Sequence, residues 1–326
     1  MSAPKPPIVG PTLYLIEVSK LRGAVSQLDR AAEDVSHRLA SADGTDARYR
    51  KVGSLRRFEI VRAKPRRVTL APLLQSKRDW LRARPGRFIV GVTPSGEVVT
   101  GDFSDAGTPH VLVAGQTGSG KSVFVQSVLA SLVYGHGPDA IRFTLVDPKR
   151  VTFASAAFRA SISRHLDGPI RFDAADAVTA AESLVAMMEE RYALFERAGV
   201  IDVDEYNADL DGGRRLERRV LVVDEFSDLT ADKGTAKAFE GAIARLGAKA
   251  RAAGIHLLLA TQRPDAKVVS GTIKANLTGR IALAVRDVVN SRIILDEPGA
   301  EQLLGKGDLL AQLGHGLVRA QGALLA

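Results

Sequence analysis

The chain has 326 residues, 45% of them hydrophobic, enough for one large core and a smaller companion. It has no cysteine, which excludes disulfides, thiolate nucleophiles and Cys-based zinc sites, and its six histidines show no paired spacing, so no structural metal is assigned. No apolar run is long enough to span a membrane and residues 1–7 lack a signal-peptide core, which points to a cytoplasmic chain, free or tethered through a longer parent.

The formal charge of +8 lies wholly ahead of residue 110: residues 1–109 hold 19 Lys/Arg against 11 Asp/Glu, and the remainder hold 26 of each. Arg48, Arg50, Lys51, Arg56, Arg57, Arg62, Lys64, Arg66 and Arg67 form either a polyanion-facing surface or an ordinary solvated face. In this first segment 12–18 reads as a strand, Val25, Leu28, Ala32, Val35 and Leu39 recur at helical steps, 41–46 reads as a loop, and 58–61 as a second strand. The expectation is a small basic α+β domain over 1–75, followed by a larger α/β domain over 76–326.

From residue 86 onward, short apolar runs at 88–92, 110–114, 142–146, 220–223, 256–260 and 281–285 alternate with helical stretches such as 175–197 and 236–252. That alternation predicts a mostly parallel sheet covered by helices on both faces.

Directly after the run at 110–114 comes Gly115-Gln116-Thr117-Gly118-Ser119-Gly120-Lys121-Ser122, which fits G-x-x-x-x-G-K-[ST] at every position. Glycines there let successive N–H groups curl around a polyphosphate, Lys121 reaches its β/γ oxygens, and the Ser122 hydroxyl can ligate Mg²⁺. A helix from near Lys121 towards Val133 points the positive end of its dipole at the same phosphates. The reading is a nucleoside triphosphate site. The run at 220–223 ends in Asp224-Glu225, at the carboxyl end of a strand, where doubly wound sheets place ligands. Asp224 suits the Mg²⁺ shell, and Glu225 can orient or deprotonate an attacking water, an arrangement that reads as an ATPase.

Further segments resemble the motor domain of the FtsK/SpoIIIE family of hexameric double-stranded DNA translocases. They are Leu145-Val146-Asp147-Pro148-Lys149-Arg150, Met188-Glu189-Glu190-Arg191-Tyr192, Val223 to Leu229, and above all the block from Ile243 through Arg251 to Leu257, continuing into Leu259-Ala260-Thr261-Gln262-Arg263-Pro264. Ile273-Lys274-Ala275-Asn276, Ser291-Arg292-Ile293-Ile294-Leu295-Asp296, and Gly299-Ala300-Glu301-Gln302-Leu303-Leu304-Gly305-Lys306-Gly307-Asp308 complete the series. The likeness covers roughly residues 86–320, and the leading segment looks like the small ring-forming domain that precedes such motors.

The resemblance implies a RecA-like P-loop fold, MgATP as fuel, duplex DNA as track and a homo-hexameric ring. It implies that Gln262 senses the γ-phosphate and that Arg251, expected on a helix, is the finger completing a neighbouring subunit's site, with Arg191 as second candidate. It places Arg263, Lys274 and Arg292 on or behind the channel loops that grip DNA phosphates. Where family members often carry a lysine, this chain has Val288, and Arg286 is the expected substitute. Two other departures are the missing winged-helix module and a spacing of 103 residues between Lys121 and Asp224, shorter than expected for chromosomal members, which hints at a plasmid, phage or conjugative relative. Type VII secretion ATPases share the fold and the Walker elements but move polypeptide, and stand as the alternative.

Overall fold

The computed structural model describes residues 7–18, 30, 34, 47–52, 55–62, 64–208, 215–229, 233–266, 268–314 and 316–325. The amphipathic helix expected through Val25, Leu28, Ala32, Val35 and Leu39, and the loop expected at 41–46, lie largely or wholly outside them.

The leading segment builds a four-stranded antiparallel sheet from β1 (Ile8–Val9), β2 (Leu13–Val18), β3 (Ala47–Val52) and β4 (Leu55–Val61), in the order β1-β2-β4-β3. Strand β3 escapes sequence reading because Arg48, Arg50 and Lys51 obscure any apolar alternation. The basic cluster falls largely on β3 and β4, whose register sets Arg50 opposite Arg57 and Lys51 opposite Arg56.

The larger unit begins with two short helices, α1 (Leu70–Ser76) and α2 (Arg78–Ala83), whose Leu70, Leu74 and Leu81 pack with Ile89 and Ala323. The small sheet thus ends at Val61, and the chain from Leu70 belongs by packing to the larger unit. Among the described residues that unit has a nine-stranded sheet built from β5 (Arg87–Val92), β6 (Val98–Asp102), β7 (His110–Ala114), β8 (Ile141–Val146), β9 (Arg218–Val223), β10 (Ile255–Thr261), β11 (Gly279–Leu283), β12 (Asp308–Gln312) and β13 (Leu317–Gly322). The expected parallel sheet is its five-stranded core, ordered β11-β7-β10-β9-β8. Beyond β11 it continues antiparallel through β12, β13, β5 and β6.

The helices are α3 (Lys121–Gly135), α4 (Ala156–Ile162), α5 (Ala174–Ala198), α6 (Val203–Ala208), α7 (Phe226–Leu229), α8 (Lys233–Lys249), α9 (Gly271–Asn276) and α10 (Val288–Leu295). Strand side chains alternate between faces. Leu112, Leu221, Val223, Leu257 and Leu259 share one core with Leu184 and Met188 of α5 and Ile243 and Leu246 of α8. Val111, Val113, Val220, Val222 and Leu258 share another with Phe124, Val128 and Leu129 of α3. This two-sided burial explains why β7, β9 and β10 read as continuous apolar runs, and each such leucine contributes roughly 1.5–3 kcal/mol. No described helix is long and apolar enough to cross a membrane.

Two element ends differ from expectation. Helix α8 stops at Lys249, short of 252, because the chain must turn through Gly254 at φ 69° to enter β10. Strand β11 covers 279–283, since the Ala284 carbonyl accepts from Gln116 N and Val285 N donates to Ala300 O, which draws both residues out of the ladder.

The two units are tied by a buried ionic cluster. Arg319 of β13 pairs with Glu59 of β4 and donates to both oxygens of Asp308, at 3.0 and 2.6 Å. Burial opposes the charge on Arg319, but the two carboxylates outweigh it and raise the guanidinium above its ordinary value. Truncating one partner strands buried charge, so Arg319→Met should cost about 3–5 kcal/mol. The expected readout is a lower denaturant midpoint, and an unchanged midpoint would show that the cluster is energetically neutral.

Candidate active site

The loop 115–122 leaves β7 and enters α3 at the carboxyl edge of the parallel core. Gly118 and Gly120 have φ of 80° and 101°, a region that L side chains rarely adopt. A Cβ on Gly120 would also lie 2.7 Å from Gly307 N, so this glycine is required twice over. The loop rests on three supports: Gly115 N donates to Thr261 O at 3.2 Å, Gln116 N to Ala284 O at 2.9 Å, and Gly307 N to Ser119 O at 2.7 Å. The turn at 305–307 thus forms a wall of this loop, a role its composition alone does not signal.

Lys121 is buried, and its Nζ donates to the Asp224 carbonyl at 2.5 Å and to Asp224 Oδ1 at 2.8 Å. The Ser122 hydroxyl accepts from Thr152 Oγ1 at 2.7 Å. A glycine nest, a buried lysine and the unpartnered, buried Ser119 hydroxyl fit a polyphosphate. Ser122 and Asp224 are the oxygen donors that would hold Mg²⁺ there, a cation that takes one or two side chains plus substrate phosphates.

Glu225 is fully buried beside Asp224. Its Oε1 accepts from Ser227 Oγ and Thr261 Oγ1, both at 2.7 Å, Gln262 N lies 3.0 Å from both oxygens, and Lys149 Nζ lies 3.1 Å from Oε2. Burial alone would raise this carboxyl, but the hydrogen bonds from Ser227, Thr261 and Gln262 and the charge of Lys121 together hold it below the ordinary range. Strand β10 lies between β7 and β9, so Gln262 at its end touches both neighbours: its N–H meets Glu225, and its side-chain oxygen accepts from Thr117 Oγ1 at 3.0 Å. Ser227, Thr261 and Lys149 had no assigned role in holding Glu225.

Arg251 lies in the turn after α8, not on a helix as expected, because that helix has already ended at Lys249. It is exposed and donates to Ser104 O at 3.4 Å. Between it and the loop runs the whole of β10, seven residues or about 20 Å. Arg191 is committed elsewhere: only 4% exposed, it donates to Ala253 O at 2.7 Å and lies 3.6 Å from Glu217. Burial lowers it to about 10, against the pull of Glu217.

The expected DNA-facing cations fall into two groups. Arg263 and Arg286 line a cavity of about 490 Å³ together with Gln116, Thr117, Lys149 and Gln262, next to the phosphate loop. Lys274 on α9 and Arg292 on α10 meet further out, where Lys274 Nζ donates to Arg292 O at 3.2 Å and pairs with Asp296 at 2.5 Å. Val288 is exposed at the start of α10.

A strand order with β10 between the phosphate-loop strand and the acid strand, carrying this loop and this acid pair, defines a RecA-like P-loop ATPase fold. The FtsK/SpoIIIE family matches residues 69–266, and the chain belongs to it. It is 38% identical over 312 residues to the DNA translocase FtsK of Chlorobaculum tepidum, covering 93% of this chain and 38% of that protein. It is 37% identical over 305 residues to the DNA translocase SftA of Bacillus subtilis, covering 92% of this chain and 31% of that protein. The chain thus spans between three-tenths and two-fifths of the length of these relatives. Among solved structures it resembles the monomer form of the pCW3 conjugation coupling protein TcpA with ATPgS, at a TM-score of 0.70 and 26% identity, over 99% of this chain and 89% of that one. The cytoplasmic domain of the type VII secretion ATPase EccC of Thermomonospora curvata matches at a TM-score of 0.64 and 25% identity, over 74% of this chain and 29% of that one.

Proposed function

We propose that this chain is an ATP-hydrolysing motor that moves double-stranded DNA through a homo-hexameric ring in the cytoplasm, alone or within a longer tethered parent. The observation that carries the reading is Gln262, which touches Glu225 through its backbone, touches the phosphate loop through its side chain, and is followed immediately by Arg263. Fuel state and track contact are one residue apart.

In this reading the loop N–H groups and Lys121 bind the ATP phosphates, Lys121 exchanging Asp224 for them. Glu225 accepts the proton of the attacking water as it adds to the γ-phosphorus, the bond from that phosphorus to the β,γ-bridging oxygen breaks so that ADP leaves, and Gln262 responds to loss of the γ-phosphate. Ser122 and Asp224 would hold Mg²⁺, which would supply charge neutralisation for the transferred phosphate. Arg251 serves the adjoining subunit. Arg263, Lys274, Arg286 and Arg292 supply phosphate contacts that carry no base preference, which suits a track-follower indifferent to sequence. A small basic domain over 1–75 and a motor over 76–326 complete the reading, with Leu70 and Leu74 of α1 packing on the motor side of that division.

The relatives named as DNA translocases align over more of this chain than the secretion ATPase does, which favours nucleic acid over polypeptide as cargo. The near full-length likeness to a conjugation coupling protein keeps plasmid transfer as the second reading within the same class. The test is ATP turnover against added linear duplex at two salt concentrations, with single-stranded DNA and a basic peptide as controls. Stimulation by duplex that fades with salt is expected, since backbone contacts release counterions. Stimulation by peptide alone would transfer the reading to secretion.

A further inference from the structure

A carboxylate offers about four lone-pair positions, and in Glu225 they are filled by Ser227, Thr261, Gln262 N and Lys149. An acid held this way faces donors on every side and is a poor partner for water. One of the donors must leave before the group can act as a base.

Three of the four are fixed. Ser227 sits in the short helix directly after Glu225, Thr261 is buried at the end of β10, and Gln262 donates from its backbone. Lys149 differs from them: its side chain is 35% exposed, it comes from the segment after β8, and it carries a flexible four-carbon stem. It also lines the cavity that Gln116 and Thr117 of the phosphate loop share with Gln262. Its other acidic neighbour, Asp228, is more distant at 3.8 Å. The ammonium therefore has Glu225 on one side and open space beside the phosphate loop on the other.

We propose that Lys149 is a positioning residue that parks Glu225, and that a terminal phosphate arriving beside Thr117 draws the ammonium away and frees Oε2 for water. This rests on the reading of Glu225 as the base. The step makes and breaks no covalent bond, because one counter-ion exchanges a carboxylate for a phosphate. It gives the site a resting state with its base withheld, a state that duplex contact at the neighbouring Arg263 can help to release.

The experiment measures ATP turnover of the full chain with and without linear duplex. Lys149→Met should raise duplex-independent turnover about tenfold, the low end of what one hydrogen bond to a charged group contributes, and lower the stimulation ratio correspondingly. Lys149→Arg should restore the wild-type ratio, and adding Glu225→Gln to Lys149→Met should abolish the gain. If the methionine variant does not bind a fluorescent ATP analogue, Lys149→Gln, one atom shorter and polar without charge, is read in its place with the same expectation. An unchanged ratio, or a proportional fall in both rates, overturns the proposal. Turnover persisting in Glu225→Gln alone would instead remove the base assignment, so the two failures are distinguishable.

Discussion

Arg251→Ala should lower ATP turnover by roughly 10³–10⁵-fold while leaving nucleotide affinity unchanged, the loss expected when a trans-acting arginine is removed. The position of the residue supports so large an effect. Arg251 stands at the amino end of β10 and the phosphate loop at its carboxyl end, so the guanidinium cannot reach the nucleotide of its own chain. It is exposed, with a single long hydrogen bond to Ser104 O among its described contacts, so it is available to a neighbour. Mixing provides the decisive measurement: Arg251→Ala subunits retain an intact acid pair, and Glu225→Gln subunits retain an intact finger. Combining two nearly inactive preparations should recover turnover at the interfaces where the two complement each other. A mixture no more active than its components would show that Arg251 does not act across an interface. Arg191→Ala should behave differently, losing stability through its buried contacts to Ala253 and Glu217.

Glu225→Gln should bind ATP with near-native affinity and lose about 10²–10⁴-fold in turnover, the span associated with a positioned general base. Affinity survives because the groups expected to bind phosphate, Lys121 and the loop N–H groups, are held through Asp224, the backbone of Gly307 and the carbonyls of Thr261 and Ala284, none of which bonds the Glu225 side chain. The amide can still receive the Ser227, Thr261 and Gln262 donors but cannot take a proton from water. Titration with a fluorescent ATP analogue alongside phosphate release separates the two effects. Undiminished phosphate release would assign the proton to another acceptor.

The parallel core was legible because its strands are buried on both faces, so β7, β8, β9 and β10 appear as apolar runs with helical periods between them. The glycines of the loop were legible for a different reason, since their spacing is dictated by backbone conformation rather than by packing. Strands β12 and β13 were not, because Asp308, Gln312, Arg319 and Gln321 interrupt their apolar pattern, and Asp308 and Arg319 make sense only once they meet each other and Glu59. Arg251 was placed on a helix because the alanine-rich run through Ala252 has high helical propensity, which the left-handed turn at Gly254 overrides. The donors around Glu225 come from three separate segments, after β8, after β9 and at the end of β10, and no linear spacing relates them.

Strand β13 is an interior strand. It lies between β12 and β5, while Leu324 just beyond it exchanges backbone hydrogen bonds with Val68 and Leu70. During synthesis every candidate phosphate-binding group from Gly115 to Gln262 therefore leaves the ribosome before the strand that joins the β5–β6 pair to the parallel core. Gly307, which braces the loop at Ser119, is itself held by Gly322. Closure of the sheet and bracing of the loop thus both wait on residues translated late, so a nascent chain can display its phosphate-binding signature well before it has a finished place to hold a nucleotide.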